Sequence, residues 1–281
     1  MLVTTSELEN KPSAAIKKKK NPLGLIFRIL MILIIVFSLS IMGFVLISRA
    51  IYPEDIYVNG LSMYPTFNKD AKSLVVDGDY EPLYKSGETY SFSKDIKNGD
   101  LVDYGLADSK SETLKALKRF DIIVTYYPSD YQDGERSGNA IPKIKRILGL
   151  PGEKVRLEVD DTPMGALYIN DQAVEQPGND SERYNAPLKK AGIEVSYPSS
   201  KLDPNADSWA GVETILGEDE YYVAGDNRYG LSSSDSRRIG PIKREYMYAK
   251  VGPIIGLCRV GNGGHSCELD YSKLRIPWEL A

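Results

Sequence analysis

Phe120-Asp121-Ile122-Ile123-Val124-Thr125-Tyr126-Tyr127, closed by Pro128, is the stretch from which the fold class follows. Its β-branched and aromatic residues suit a pleated, half-buried surface. The proline ends the run because it cannot donate to a strand ladder. A second run, Ile141 to Leu148, alternates, with Ile144, Arg146 and Leu148 on one side and Lys143, Lys145 and Ile147 on the other. Pro151-Gly152 marks a turn, and Lys154 to Val159 opens another strand. Further strands are predicted at Ser73–Asp77, Leu167–Asp171, Glu220–Ala224 and Tyr246–Ile255, with Ile51–Asn59 extended. Outside the N-terminal region only Ser109–Arg119 offers a helical stripe, through Leu114 and Leu117. The class is mostly β, preceded by one apolar helix.

That helix is read from Ile29 to Ser48, which carries no charged residue. Twenty residues of helix span about 30 Å, the hydrocarbon thickness of a bilayer. Lys17, Lys18, Lys19, Lys20 and Arg28 precede it and predict a cytoplasmic N-terminus by the positive-inside rule. The rival is a cleaved signal peptide, whose apolar core is usually about 7–15 residues and ends at small residues. Ser48-Arg49-Ala50 suits such a site poorly because of the arginine. The expected organisation is a cytoplasmic basic tail over residues 1–22, a transmembrane signal-anchor over 23–49, and an extracytoplasmic β domain over 50–281. Two polar stretches without a readable motif, near 81–115 and 179–211, are expected to be insertions in that domain.

A chain of 281 residues can bury a substantial core. A net charge of -4 and a pI near 5.3 argue against a nucleic-acid partner. Two cysteines are too few for a disulfide scaffold.

Three short segments carry the chemistry. Ser62-Met63-Tyr64-Pro65-Thr66 offers a serine in a proline-containing turn. Serine needs a base, and the sole histidine, His265, lies in a glycine-rich tail. Lys145, within Ile141, Ile144, Ile147 and Leu148, would have its pKa lowered by burial and could then take the serine proton. The third segment is Gly225-Asp226-Asn227-Arg228 with Ser234-Asp235-Ser236-Arg237. Its glycine suits a sharp turn or close approach, and its carboxylates and guanidinia suit an ion-pair network bracing the other two segments. The set reads as a Ser–Lys hydrolase. Each part has a plain alternative: a turn serine, an exposed strand lysine, a solvated polar loop.

Together these motifs resemble the ordered signature of type I signal peptidases: Ser62-Met63-x-Pro65-Thr66, then Lys145-Arg146 with Gly149-x-Pro151-Gly152, then Gly225-Asp226-Asn227-Arg228 with Asp235-Ser236-Arg237. Arg119-Phe120-Asp121-Ile122-Ile123-Val124 resembles the family's strand before the lysine. The single anchor and compact size resemble the Gram-positive branch. The resemblance implies a mostly antiparallel, barrel-like β fold and a serine endopeptidase that removes signal peptides from exported preproteins. It implies Ser62 as nucleophile, with its amide donating to the oxyanion, and Lys145 as general base. It implies Met63, Gly60 and Ile144 around the substrate, and Arg146, Gly225, Asp226, Asn227, Ser233, Asp235, Ser236 and Arg237 as supports. Ser233 or Ser236 would hydrogen-bond Lys145. No cofactor or metal is implied. Partners would be preproteins, the lipid bilayer and the secretion translocon.

Three departures stand out. Gly60 sits where some members place a serine that completes the oxyanion hole, so a second donor must come from elsewhere or be missing. Phe120 stands where the family usually has glycine. Tyr229-Gly230-Leu231-Ser232 lengthens the third block.

Ser91-Phe92-Ser93-Lys94 fits the Ser-x-x-Lys of penicillin-recognising enzymes, but neither Ser-Asp-Asn nor Lys-Thr-Gly follows it. A self-cleaving regulator would share the dyad, against which the anchor and the absence of a basic DNA-binding region weigh. The non-enzyme alternative is an inactive membrane-anchored binding or pilus-assembly protein of the same fold. Cys258 and Cys267 flank a glycine-rich turn and are expected as a disulfide or two free thiols, with a Cys–His–Cys metal site disfavoured.

Overall fold

The structure is a computed structural model that describes residues 22–58, 60, 62–63, 66–68, 101–158, 165–176, 212–226, 233–261, 264–270, 272 and 274–275. It divides into two compact units, 1–48 and 49–281. Helix α1, Pro22–Ile51, exposes apolar side chains along its whole length and is long and apolar enough to cross a membrane. At 1.5 Å per residue it extends about 45 Å, longer than the roughly 30 Å hydrocarbon core of a bilayer. It exceeds the expected 23–49 by a residue or two at each end.

The second unit is built on antiparallel strands. They are β1 (Glu54–Tyr57), β2 (Leu101–Asp108), β3 (Ile122–Thr125), β4 (Tyr131–Gln132), β5 (Glu135–Arg136), β6 (Lys143–Gly149) and β7 (Lys154–Glu158). After these come β8 (Ala166–Ile169), β9 (Gln172–Val174), β10 (Thr214–Ile215), β11 (Glu220–Ala224), β12 (Ile242–Lys243), β13 (Met247–Gly261) and β14 (Gly264–Leu269). Among the described residues two short α-helices, α2 (Ser111–Lys115) and α3 (Ser236–Ile239), lie between them. The main sheet runs β1-β2-β13-β3-β6-β11-β12, with β14 on β13. A smaller sheet runs β10-β7-β8-β9.

The strand-rich class and single apolar helix agree with the sequence reading. Boundaries moved where tertiary pairing outweighs local pattern. The strand predicted from Phe120 begins at Ile122, because Phe120 adopts φ 69. Glycine takes that left-handed region without steric cost, so the family's usual glycine has a conformational reason. Strand β13 is longer than expected because it serves three neighbours: β3 near Met247–Lys250, β2 through Arg259, and β14 from Gly256. The expected helix over 109–119 shrinks to Ser111–Lys115, while Leu117 buries against Ile123, Ile147 and Val223.

Part of the expected 81–115 insertion needs correcting. Leu101–Asp108 pairs with β1 on one side and β13 on the other, so it is an interior strand of the main sheet. The stretches 81–100 and 179–211, and the strand expected at 73–77, lie outside the described residues.

Strand β6 carries alternate residues to different clusters. Ile144 packs with Met63, Ile122 and Val124; Ile147 packs with Ile123 and Val223; Leu148 packs with Val155 and Tyr222. Burial on both faces matches the consecutive Ile147-Leu148-Gly149 at the end of β6.

Candidate active site

Ser62 lies in the connection after β1, and its neighbours anchor it from below. Met63 and Phe67 are fully buried among Ile56, Val58, Ile122, Val124 and Ile254, and Phe67 N donates to Met63 O at 3.0 Å. Met63 was expected to wall the substrate site; with no exposed surface it instead nails the serine turn to the core. Ile144 packs on the same cluster while remaining partly exposed. Gly60 is partly exposed, and its carbonyl accepts from Asn68 Nδ2 at 2.9 Å.

Lys145 arrives from β6, 3% exposed. Its Nζ lies 3.1 Å from Ser62 Oγ and donates to Ile144 O at 2.9 Å. Burial lowers its pKa from 10.5 to about 8; the charge of Asp235 pulls it back up, while Arg237 and Lys143 push it down. Among the described residues neither Ser233 nor Ser236 bonds to this amine. Ser236 Oγ accepts from Val223 N at 2.8 Å, which ties α3 to β11 instead.

Two buried ion pairs hold the surroundings. Arg146 grips Asp226 in a two-pronged contact, Nε to Oδ1 at 2.8 Å and NH2 to Oδ2 at 2.6 Å. Asp226 Oδ2 also accepts from Thr66 Oγ1 at 2.5 Å, so one carboxylate links the serine turn to the lysine strand. Arg146 NH1 donates to Phe120 O at 3.0 Å, a contact that the left-handed turn at Phe120 presents. Asp235 caps α3, accepts from Gly225 N at 2.9 Å, and pairs with Arg237 Nε and NH2 at 2.9 Å each. Burial raises the Asp235 pKa, but Arg237 and these donors outweigh it and bring it to about 2. Asp235 is therefore ionised across the neutral range.

Gly225 meets the serine turn directly. A Cβ there would lie 2.3 Å from Ser62 O and 2.3 Å from Ser233 Oγ. A side chain there requires the serine turn and Ser233 to give way. Asn227, expected as a support, lies outside the described residues.

Sequence reasoning missed four residues. Tyr127 donates its hydroxyl to Ser234 O beside Asp235, and burial raises its pKa. Asn68, Asp103 and Arg275 form a second network behind the serine turn. Tyr127 had no signal apart from the strand it ends, and the other three are joined only by the fold.

The arrangement places a desolvated amine within hydrogen-bond reach of a hydroxyl, the geometry required for a general base and its nucleophile. The sequence profile of the family described as signal peptidase, peptidase S26, matches residues 30–255. The chain belongs to the signal peptidase family. It is a peptidase. Signal peptidase I V of Bacillus subtilis is 31% identical over 168 residues, covering 53% of this chain and 83% of that protein. Signal peptidase I of Rickettsia prowazekii is 31% identical over 192 residues, covering 64% of this chain and 66% of that protein. Among solved structures, a signal peptidase I from Enterococcus faecalis is similar at 27% identity and TM-score 0.28, over 48% of this chain and 95% of that one. In this chain the two cysteines are joined: Cys258 and Cys267 face each other across β13 and β14 as a disulfide, with Cα atoms 3.9 Å apart. Their thiols are thereby committed to each other and not to a metal.

Proposed function

We propose that the chain is a membrane-anchored serine endopeptidase that cleaves signal peptides from exported preproteins, with Ser62 as nucleophile and Lys145 as general base. The observation that carries this reading is the 3.1 Å contact between Ser62 Oγ and a buried lysine whose pKa is lowered to about 8. Neutral Lys145 takes the hydroxyl proton as Ser62 Oγ attacks the scissile carbonyl. The ammonium then protonates the leaving amine, and the acyl-serine remains. Lys145 next deprotonates a water that hydrolyses the ester, restoring the hydroxyl. The Ser62 amide donates to the oxyanion as charge develops there.

The substrate lies extended beside the start of β6. Lys143–Lys145 pair with β3 on one side. On the other side, among the described residues, β11 begins its pairing only at Arg146, and we take the edge before it as the place for a peptide backbone. Alternate side chains of such a peptide face the enzyme, so the first and third positions before the cut enter pockets together. Ile144 and the packed turn above Met63 favour alanine-sized groups there. Helix α1 is the anchor, and Lys17–Lys20 with Arg28 keep its N-terminus cytoplasmic. The catalytic domain then works outside the cytoplasm, close to the bilayer and the translocon.

The test is incubation of the purified full-length protein with a preprotein and N-terminal sequencing of the product. Wild type is expected to cut after a small residue and Ser62→Ala to give no product. Ser62→Ala cleaving above about 10% of wild type contradicts the reading, since losing a nucleophile or its base costs at least about 10²-fold. An inactive wild type would favour a binding protein of the same fold.

A further inference from the structure

Tyr127 follows β3 by two residues and is 5% exposed. Its ring packs in one cluster with Leu117, Ile123, Ile147 and Val223, so the core fixes where the hydroxyl points. At the backbone end, Tyr127 N donates to Asp130 Oδ2 at 2.7 Å. Lys143 Nζ pairs with the same carboxylate and stands 4.7 Å from the ring centroid. At the far end the hydroxyl donates to Ser234 O. Burial, then the charges of Asp235 and Asp130, raise the phenol pKa, so the group remains a donor at any working pH.

Ser234 precedes Asp235, whose charge acts on Lys145 more strongly than any other. The remaining charges that act on this amine are Arg237 on α3, Lys143 on β6 and Asp226 just after β11. Each has a partner: Arg237 in Asp235, Lys143 in Asp130, Asp226 in Arg146. Two contacts tie the segment around Asp235 to β11 and the residue after it. Gly225 N donates to Asp235 Oδ2 at 2.9 Å, and Val223 N donates to Ser236 Oγ at 2.8 Å. Strand β11 flanks β6 on one side; β3 flanks it on the other, with Ile123 opposite Lys145. Tyr127 reaches the segment from the β3 side. The segment bearing Asp235 is thus held from both neighbours of the lysine strand.

We propose that Tyr127 is a positioning residue for Lys145, its hydroxyl holding the Ser234 carbonyl so that Asp235 keeps its place beside the amine. The proposal rests on the reading of Lys145 as general base. Ser234 is exposed, so its carbonyl can turn to water once the phenol donor is gone. The segment then eases away from β6. Ser233, which borders Gly225 together with Ser62 O, goes with it. A carboxylate near an ammonium favours the charged form. With Asp235 further off, Lys145 therefore stays neutral to lower pH, while the packing of the Tyr127 ring is kept.

The experiment compares full-length wild type, Tyr127→Phe, Tyr221→Phe and Lys145→Met on one preprotein, with kcat and KM measured across the pH range in which all four stay folded. Tyr127→Phe removes one oxygen and leaves the ring. Misplacement of reacting groups by about 1 Å costs about 10²-fold in rate. A partial retreat of the segment is expected to cost about 3- to 10-fold in kcat, with KM nearly constant. The rising limb of the pH–rate curve should move to lower pH by about half a unit, a fraction of what a fully removed neighbouring charge would give. Tyr221 is a buried tyrosine of the same cluster, carried on β11, and Tyr221→Phe should keep the wild-type kcat and pH curve. If Tyr127→Phe does not fold, Tyr127→Met, which also fills the core without a donor, takes its place. A pH curve that stays put or moves to higher pH, a wild-type kcat, a loss in KM alone, or an equal shift in Tyr221→Phe overturns the proposal. Lys145-dependent cleavage with an indifferent Tyr127 overturns it alone. Cleavage that persists in Lys145→Met overturns the parent reading and this one with it.

Discussion

Replacing Lys145 by methionine should stabilise the protein at pH 7 while abolishing cleavage. Lys145 is buried, and its pKa lies at about 8 against an ordinary 10.5. The folded state thus binds the proton more weakly than the unfolded chain does. Above 10.5 both states hold a neutral amine and there is no penalty. As pH falls through about 8 the folded protein must carry a buried ammonium, and the penalty becomes complete. Two and a half pKa units correspond to about 3 kcal/mol. Methionine has similar length and no charge, so it escapes this cost. It forfeits the hydrogen bonds to Ile144 O and Ser62 Oγ, worth about 1 kcal/mol each. Lys145→Met should therefore be more stable than wild type by about 1 kcal/mol at pH 7 and less stable by about 2 kcal/mol near pH 10.5, with the crossover between. Paired urea titrations of the two proteins at a series of pH values measure the difference directly. A difference that stays flat from pH 7 to 10.5, or a variant already less stable at pH 7, would refute the claim that wild type carries a strained, charged lysine at neutral pH.

Three further outcomes follow from the same geometry. The rate at low substrate should climb with pH and level off above about 8, because only neutral Lys145 is competent; Lys145→Arg should show no climb and no activity, since guanidinium stays protonated. Gly225→Ala should fold yet lose at least about 100-fold in kcat, because its methyl group must push Ser62 O from 2.3 Å to ordinary contact; a near-normal kcat would show that the serine turn can retreat freely. Arg146→Met should destabilise the domain by about 3–5 kcal/mol by removing the guanidinium from the buried Asp226 carboxylate, and adding Asp226→Asn should restore part of that, measured by urea unfolding.

Much of this site could be read before any coordinates. A charge-free run announced α1, a period-two pattern announced β6, and short runs beside the turn at Pro151-Gly152 and before Gly225 announced β7 and β11. Ser62, Lys145 and Gly225 stood out because each residue type suits one chemical task. The failures share a cause. Leu101–Asp108 has few β-branched residues and carries acids at 103 and 108, so it resembles a polar insertion. Those acids are tolerated in an interior strand because other groups satisfy them: Asp103 through the distant Asn68 and Arg275, Asp108 through the nearby Lys110 N and Thr113 Oγ1. Met63 was misplaced for the converse reason. Its position beside Ser62 suggested a substrate wall, whereas the curl of the turn points it inward, onto Phe67 and Ile122.

Local pattern reports what a residue prefers, and the site is assembled from pairs that no local pattern links. Thr66 meets Asp226 across 160 residues, Arg146 meets Asp226 across 80, and Arg275 meets Asp103 across 172. A physical constraint explains why these links are ionic and not simply apolar. Lys145 must sit in a low-dielectric setting to be neutral near pH 8, so no uncompensated charge can stand beside it. Yet three separate segments must be held in register to fractions of an ångström. Buried ion pairs meet both demands: Arg237 cancels Asp235 and Arg146 cancels Asp226, leaving little net field on the amine, while their directional contacts fix turn, strand and helix cap together. Apolar replacements of similar volume would often be as stable, but they would not specify where Ser62 Oγ stops relative to Lys145 Nζ.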